Sequence, residues 1–240
     1  MSRACIFSLT CFALWMFPLC AKHRLYLLPG HGSDHRVFSK LNLEKFDTVH
    51  IRYPVPFPDE SMRDYALRIS WQIDASRPFS ILGVSLGGML AAELNDMLRP
   101  FRVILVSSAS CRQELPRRYT FMDKVPFDRI PTGNFYKMSA RYAQKLVEPD
   151  RNGEGALFDS MLNAKQALFL KRASRMIIAW ERSKPKSPNL VHIHGSSDNT
   201  LPIKNIKADH VINGGSHMMI LTEAGKISDL LHNILCCTDV

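Results

Sequence analysis

The chain has 240 residues, 46% of them hydrophobic, enough for one substantial buried core but leaving no room for a second catalytic unit. Its formal net charge is +9, yet the basic residues form no run, and no helix-turn-helix, zinc-finger or aromatic single-strand-binding pattern accompanies them, which argues against nucleic acid as a partner. Cys5, Cys11 and Cys20 lie near the start and leave Cys111, Cys236 and Cys237 downstream, which is no disulfide framework; no Cys or carboxylate pattern completes a ligand set around the histidines, so neither metal nor cofactor is expected.

Residues 5–19 form an apolar run preceded by Arg3, which reads as the h-region of a signal peptide spanning 1–21, with cleavage near Ala21 and the folded domain over 22–240. The run is short for a spanning helix. Export, to the periplasm or the exterior, is the expectation; translation starting at Met16 would leave a cytoplasmic protein instead. Losing the leader removes only Arg3, so the domain stays basic and compatible with weak association with an anionic membrane surface.

Apolar, β-type runs follow at 24–28, 47–51, 79–84, 101–107, 189–194 and 208–213, alternating with helical patterns, and predict a mainly parallel sheet of about six strands flanked by helices. Ser61-Met62-Arg63-Asp64 resembles a capping box, and apolar residues at 62, 65, 66, 69 and 73 give the helix after it one buried face. The third run ends in Gly83-Val84-Ser85-Leu86-Gly87 and passes directly into a strong helix former, Met89 to Leu94. So sharp a strand-to-helix turn forces an uncomfortable backbone on its central serine, and the flanking glycines remove side chains that would collide. The hydroxyl of Ser85 then stands clear at a helix N-terminus, where the Leu86 amide can face an oxyanion.

Residues 110–188 are too long for a plain crossover and carry helical patterns at 134–147 and 155–183, which predicts a helical cap over the sheet edge. Arg112, Arg117 and Arg118 open it, and Lys171, Arg172 and Arg175 share one of its helices. His192 and His194 fall on one face of the fifth run and are read as ordinary strand residues. Asp198 lies on the loop that ends this run, and His217 on the loop after the sixth, before a helix with apolar residues at 220, 221, 224, 227, 230, 231, 234 and 235.

A serine hydroxyl is a poor nucleophile unless a base within reach takes its proton, and the base needs a third group to hold its tautomer. Parallel strands deliver their C-terminal loops to one edge, so Ser85, Asp198 and His217 can meet there in the chain order serine, acid, histidine.

These residues carry a family likeness. Through Gly83-Val84-Ser85-Leu86-Gly87, His194-Gly195-x-x-Asp198-x-x-x-Pro202 and Gly214-Gly215-Ser216-His217, the chain resembles the α/β-hydrolase superfamily from about residue 24 to 235. The resemblance implies a reduced α/β-hydrolase fold without the opening antiparallel hairpin of larger relatives, since only the leader precedes residue 24. It also implies Ser85 as nucleophile, Asp198 as acid and His217 as base. A second oxyanion amide would come from the loop after the first strand. Aligning Gly30 with the family glycine makes it that of His31, whereas aligning on His31-Gly32 makes it that of Ser33; the first is preferred. Pro29 stands where many relatives have histidine.

The expected activity is cleavage of a carboxylic ester or thioester through an acyl-enzyme, on a partly apolar small-molecule acyl substrate. Met89 and Met218 are candidate substrate contacts, and Phe38 and Phe57 are expected to approach the same edge. The rival expectation is a protein of the same form that binds a small molecule with little or no turnover.

Overall fold

Strand β3 (Phe79–Val84) is buried along its whole length, as its unbroken apolar sequence requires of a strand covered on both faces. It pairs in parallel with β1 (His23–Leu28) on one side and β4 (Arg102–Val106) on the other. Beyond β1 lies β2 (Phe46–His50), and beyond β4 lie β5 (Leu190–Gly195) and the short β6 (His210–Ile212). The order is β2-β1-β3-β4-β5-β6, and every pair is parallel, which agrees with the expected six-strand architecture. The computed structural model describes residues 22–122, 137–138, 141–142, 153–184 and 186–236. The leader over 1–21 and most of the helix expected over 134–147 lie outside the described residues.

This strand order fixes where a ligand can sit. From β1 the chain moves outward to β2, and from β3 it moves the opposite way to β4, so the loops leaving β1 and β3 diverge and open a crevice between them at the sheet's carboxyl edge. Both loops begin at the residues singled out in the sequence, Gly30 to Ser33 and Ser85.

Helix α1 (Met62–Ile69) starts as its sequence specifies: Ser61 Oγ accepts the Asp64 amide at 3.0 Å, and Met62, Tyr65, Ala66 and Ile69 form the buried face. Helix α2 (Leu86–Leu98) follows the β3 turn and is buried from Leu86 to Asn95, with Leu90, Ala91, Ala92 and Leu94 fully enclosed. It is the central helix of the core. Helix α3 (Arg117–Met122) opens the long segment after β4.

The helical pattern read over 155–183 is two helices, α4 (Gly155–Ala164) and α5 (Ala167–Ile178), separated at Lys165 and Gln166, both extended. A straight helix over 155–178 would run about 36 Å at 1.5 Å per residue and could not lay both apolar faces on one core. Breaking it lets Phe158, Met161 and Leu162 of α4 and Phe169, Leu170, Ala173 and Met176 of α5 turn inward together. The segment is tied back to α2: Trp180 Nε1 donates to Glu93 Oε1 at 2.8 Å, and the Arg182 guanidinium lies 3.3 Å from Asp96.

The last helical pattern also divides, into α6 (Met219–Thr222) and α7 (Ala224–Cys236). Met219, Ile220 and Leu221 are all buried in succession, so the single turn α6 plugs the space behind the loop of His217 before α7 continues along the surface. No helix among the described residues is long and apolar enough to cross a membrane.

Candidate active site

At the end of β3 the backbone of Ser85 takes φ 53° and ψ −119°, a region that costs a residue with a side chain about 1–3 kcal/mol and persists only when its surroundings enforce it. Here they do. The Ser85 amide donates to Val106 O at 3.1 Å, its carbonyl accepts Gly88 N at 2.9 Å and Met89 N at 3.2 Å, and Ser108 Oγ donates to the same carbonyl at 2.6 Å. The two motif glycines are required by close approach: a Cβ on Gly83 would lie 2.4 Å from Gly87 O, and one on Gly87 only 2.1 Å from Leu28 O. The turn is therefore wedged between β1 and its own helix, with the serine side chain aimed into the crevice.

The loops after β5 and β6 meet through backbone. Ser197 N donates to Gly215 O at 2.9 Å, Ser196 N to Ile212 O at 3.0 Å, and a Cβ on Gly195 would fall 2.1 Å from Gly215 O. This contact brings Asp198 and His217 together. His217 Nδ1 lies 2.8 Å from Asp198 Oδ2, and His217 Nε2 lies 3.0 Å from Ser85 Oγ. The three side chains thus form one continuous line across residues separated by more than half the chain.

Asp198 is buried, yet its pKa is lowered. Burial alone would raise it, but the His217 imidazole, as charge and as hydrogen-bond donor, the Leu201 amide and the neighbouring His194 outweigh burial. The Leu201 N–H bond to Asp198 Oδ1 is 2.7 Å. The acid is held ionised with both oxygens occupied.

The two candidate amides of the β1 loop differ in their bonding. Ser33 N already donates to Gly30 O at 3.3 Å, and Gly30 N to Ser33 Oγ at 2.9 Å, so the loop is closed on itself around Ser33. Among the described residues no acceptor takes the His31 or the Leu86 amide. The His31 imidazole does not face solvent: Nε2 donates to Leu170 O at 2.8 Å, Ser174 Oγ stands 3.1 Å from the same nitrogen, and the ring stacks on Phe169. Burial lowers its pKa. His31 thereby fastens the β1 loop to α5.

A cavity of about 460 Å³ opens over Ser85 and His217. Val84, Met218 and Ile220 line it from the sheet side, Phe158, Leu162 and Ile177 from α4 and α5, and α3 adds Arg118 and Tyr119. Of the sequence candidates, Met218 is on this wall. Met89 is 2% exposed, belongs to the core and is absent from the lining, because its position on the first turn of α2 points it beneath the sheet edge. Phe38 is buried in the core too, and Phe57 is exposed beside a separate recess of about 260 Å³ that Lys171, Arg172 and Arg175 border. Arg118 donates to the Thr200 carbonyl, which joins the start of the long segment to the loop of Asp198.

Sequence reading missed His194. It is fully buried, with Nε2 2.8 Å from Leu201 O and 3.3 Å from Asp198 Oδ2. Its spacing of four residues from Asp198 across a strand end was the available signal, but strand periodicity alone does not say which face turns toward the loop. Among the described residues no group of His, Cys, Asp and Glu could hold a metal ion.

The alpha/beta hydrolase family model matches residues 7–230. The chain belongs to the alpha/beta hydrolase family. Solved structures similar to this alpha/beta hydrolase include a hydrolase from Pseudomonas aeruginosa, with a TM-score of 0.67 and 15% identity over 89% of this chain and 90% of that one. The MenH protein from S. aureus has a TM-score of 0.69 and 16% identity over 90% and 94%. An esterase from Exiguobacterium antarcticum has 0.67 and 14% over 88% and 91%. At these identities the likeness is one of fold. No curated protein matches this alpha/beta hydrolase.

Proposed function

We propose that this alpha/beta hydrolase is a serine hydrolase that cleaves a carboxylic ester or thioester through an acyl-enzyme. The observation that carries the reading is the unbroken line from Ser85 Oγ through His217 to Asp198, 3.0 and 2.8 Å, at the floor of the cavity. His217 Nε2 takes the serine proton as Oγ attacks the acyl carbonyl, and the imidazolium so formed is stabilised by ionised Asp198, which also fixes Nδ1–H. The amides of Leu86 and His31, which no acceptor takes among the described residues, receive the oxyanion; one such donor supplies about 3 kcal/mol of transition-state stabilisation. His217 then returns the proton to the leaving group, and water, deprotonated by the same imidazole, releases the acid.

Phe158, Leu162, Ile177 and Met218 make the cavity wall largely apolar, which suits a small-molecule acyl group with a hydrocarbon portion. Helices α4 and α5 act in this reading as the cap that excludes water from the acyl-enzyme. The exported location and a weak attraction of the basic domain to membrane surfaces belong to the same proposal.

A fluorophosphonate probe tests it. Covalent labelling of the native protein that disappears in Ser85→Ala, together with loss of p-nitrophenyl ester turnover in a variant with an unchanged circular dichroism spectrum, is the expected result. Tight small-molecule binding with no labelling would favour the binding-protein alternative and overturn the enzyme.

A further inference from the structure

Behind Asp198 the structure buries two further imidazoles in single file. His194 Nδ1 lies 3.2 Å from His192 Nε2, both side chains are fully enclosed, and neither touches the cavity. A Leu or Val pair would fill a strand face at no desolvation cost, so two enclosed imidazoles call for a role.

The partners determine the tautomers. His194 Nε2 faces two oxygens that can only accept, Leu201 O at 2.8 Å and Asp198 Oδ2 at 3.3 Å, so it carries the proton. Its Nδ1 is then an acceptor facing His192 Nε2, and the Ser108 backbone stands in hydrogen-bonding reach of the His192 ring. Burial lowers the pKa of both rings, that of His192 to about 3, so both are neutral donors at neutral pH. The charged and titratable groups around them are Asp198, His217 and Glu114 near His194, and Lys186 and Asp209 near His192; Tyr119 faces Asp198 from α3.

Leu201 closes the arrangement. Its N–H is bonded to Asp198 Oδ1 and its carbonyl to His194, so the loop carrying the acid is clamped to β5 at both faces of one peptide residue. We propose that His194, backed by His192, is a positioning residue of this hydrolase: it locks the Asp198 carboxylate in the rotamer that meets His217 and holds an N–H dipole against Oδ2. The proposal rests on the serine-hydrolase reading. A neutral donor at this place steadies the carboxylate without adding a charge that would compete with His217 for it.

The test compares native protein, His194→Leu and His194→Gln, since a glutamine amide can offer a donor where Nε2 now lies. First, Ser85-dependent fluorophosphonate labelling of the native protein establishes that the site is a serine hydrolase; its absence sinks that reading and leaves the clamp without a reaction to serve. Given labelling, His194→Leu is expected to lower kcat/KM about tenfold and to move the acid limb of its pH profile upward by about half a unit, because Asp198 without the dipole holds the imidazolium more strongly. His194→Gln is expected to recover activity to within about threefold of native and restore the limb.

A loss of rate with an unmoved acid limb, or no rescue by glutamine, would mean that His194 merely fills space. Should His194→Leu fail to fold, nitrogen-15 NMR of the native imidazoles decides the matter. Neutral His194 protonated at Nε2 supports the clamp; a proton on its Nδ1 in the neutral state overturns it.

Discussion

The floor and the roof of the cavity are built by different means. The floor, Ser85, Asp198 and His217 at the strand ends, is set by backbone: a turn with φ 53°, glycines in van der Waals contact with neighbouring carbonyls, and loop-to-loop amide bonds. The roof is set by side chains, with Phe158, Leu162 and Ile177 presented from two helices whose joint is an extended pair of residues without glycine or proline. Backbone constraints tolerate almost no substitution, while an apolar wall tolerates exchange of volume. Chemistry is therefore expected to be rigidly encoded in the floor and substrate choice to be tunable in the roof.

Breaking the floor at its charge has the largest expected effect. Asp198→Asn should preserve the fold yet reduce kcat by about 10⁴, since an amide can present the wrong partner to His217 Nδ1–H and cannot stabilise the imidazolium; ester turnover with saturating substrate measures it. Next comes the floor's geometry. Gly87→Ala places a methyl 2.1 Å from Leu28 O and 2.6 Å from Pro29 O, backbone atoms that cannot move aside without shifting β1. A loss of about 3 kcal/mol or more is expected in urea unfolding, with activity falling alongside stability.

The roof should answer differently. Leu162→Trp adds volume where the wall is apolar and is expected to lower kcat/KM for long acyl esters about tenfold relative to short ones. Fluorophosphonate labelling should persist, while stability is expected to fall by about 1–3 kcal/mol because Leu162 is also buried among its neighbours. Equal losses for every chain length would show that the roof is as rigidly coupled to the reaction as the floor, and the contrast would fail.

Stability should also depend on pH. His192 titrates at about 3 in the fold against an ordinary value of 6.5, so between these values the unfolded chain binds more protons and stability falls as pH drops. Asp198, lowered from 3.8, adds a contribution that is present above 3.8 and lost as pH falls further. Urea midpoints at pH 7, 5.5 and 4.5 should decline in that order, with a shallower decline in His192→Leu, whereas a midpoint independent of pH would contradict it.

The elements were legible where one physical rule dominates. A strand buried on both faces, such as Phe79 to Val84, must be apolar throughout, and a strand-to-helix turn around Ser85 needs small neighbours, so both were visible without coordinates. The Ser61 cap was equally local. Legibility failed where geometry depends on distant packing. Met89 seemed close to the site because it is near Ser85 in sequence, but one helical turn carries it into the core. The His31 ring is bound by Leu170 O of α5, 139 residues away, a contact that no local pattern encodes.

By itself, then, the sequence determined the six strands and the strained serine turn, and placed Asp198 and His217 on loops at the same sheet edge, because hydrophobic period and turn chemistry act over a few residues. Tertiary structure alone decided which amide of the β1 loop stays open, that α4 and α5 fold as separate helices over the crevice, and that His194 stands behind Asp198. These depend on which backbones can approach to contact, and a pairing such as Gly195 against Gly215 exists only once β5 and β6 lie side by side.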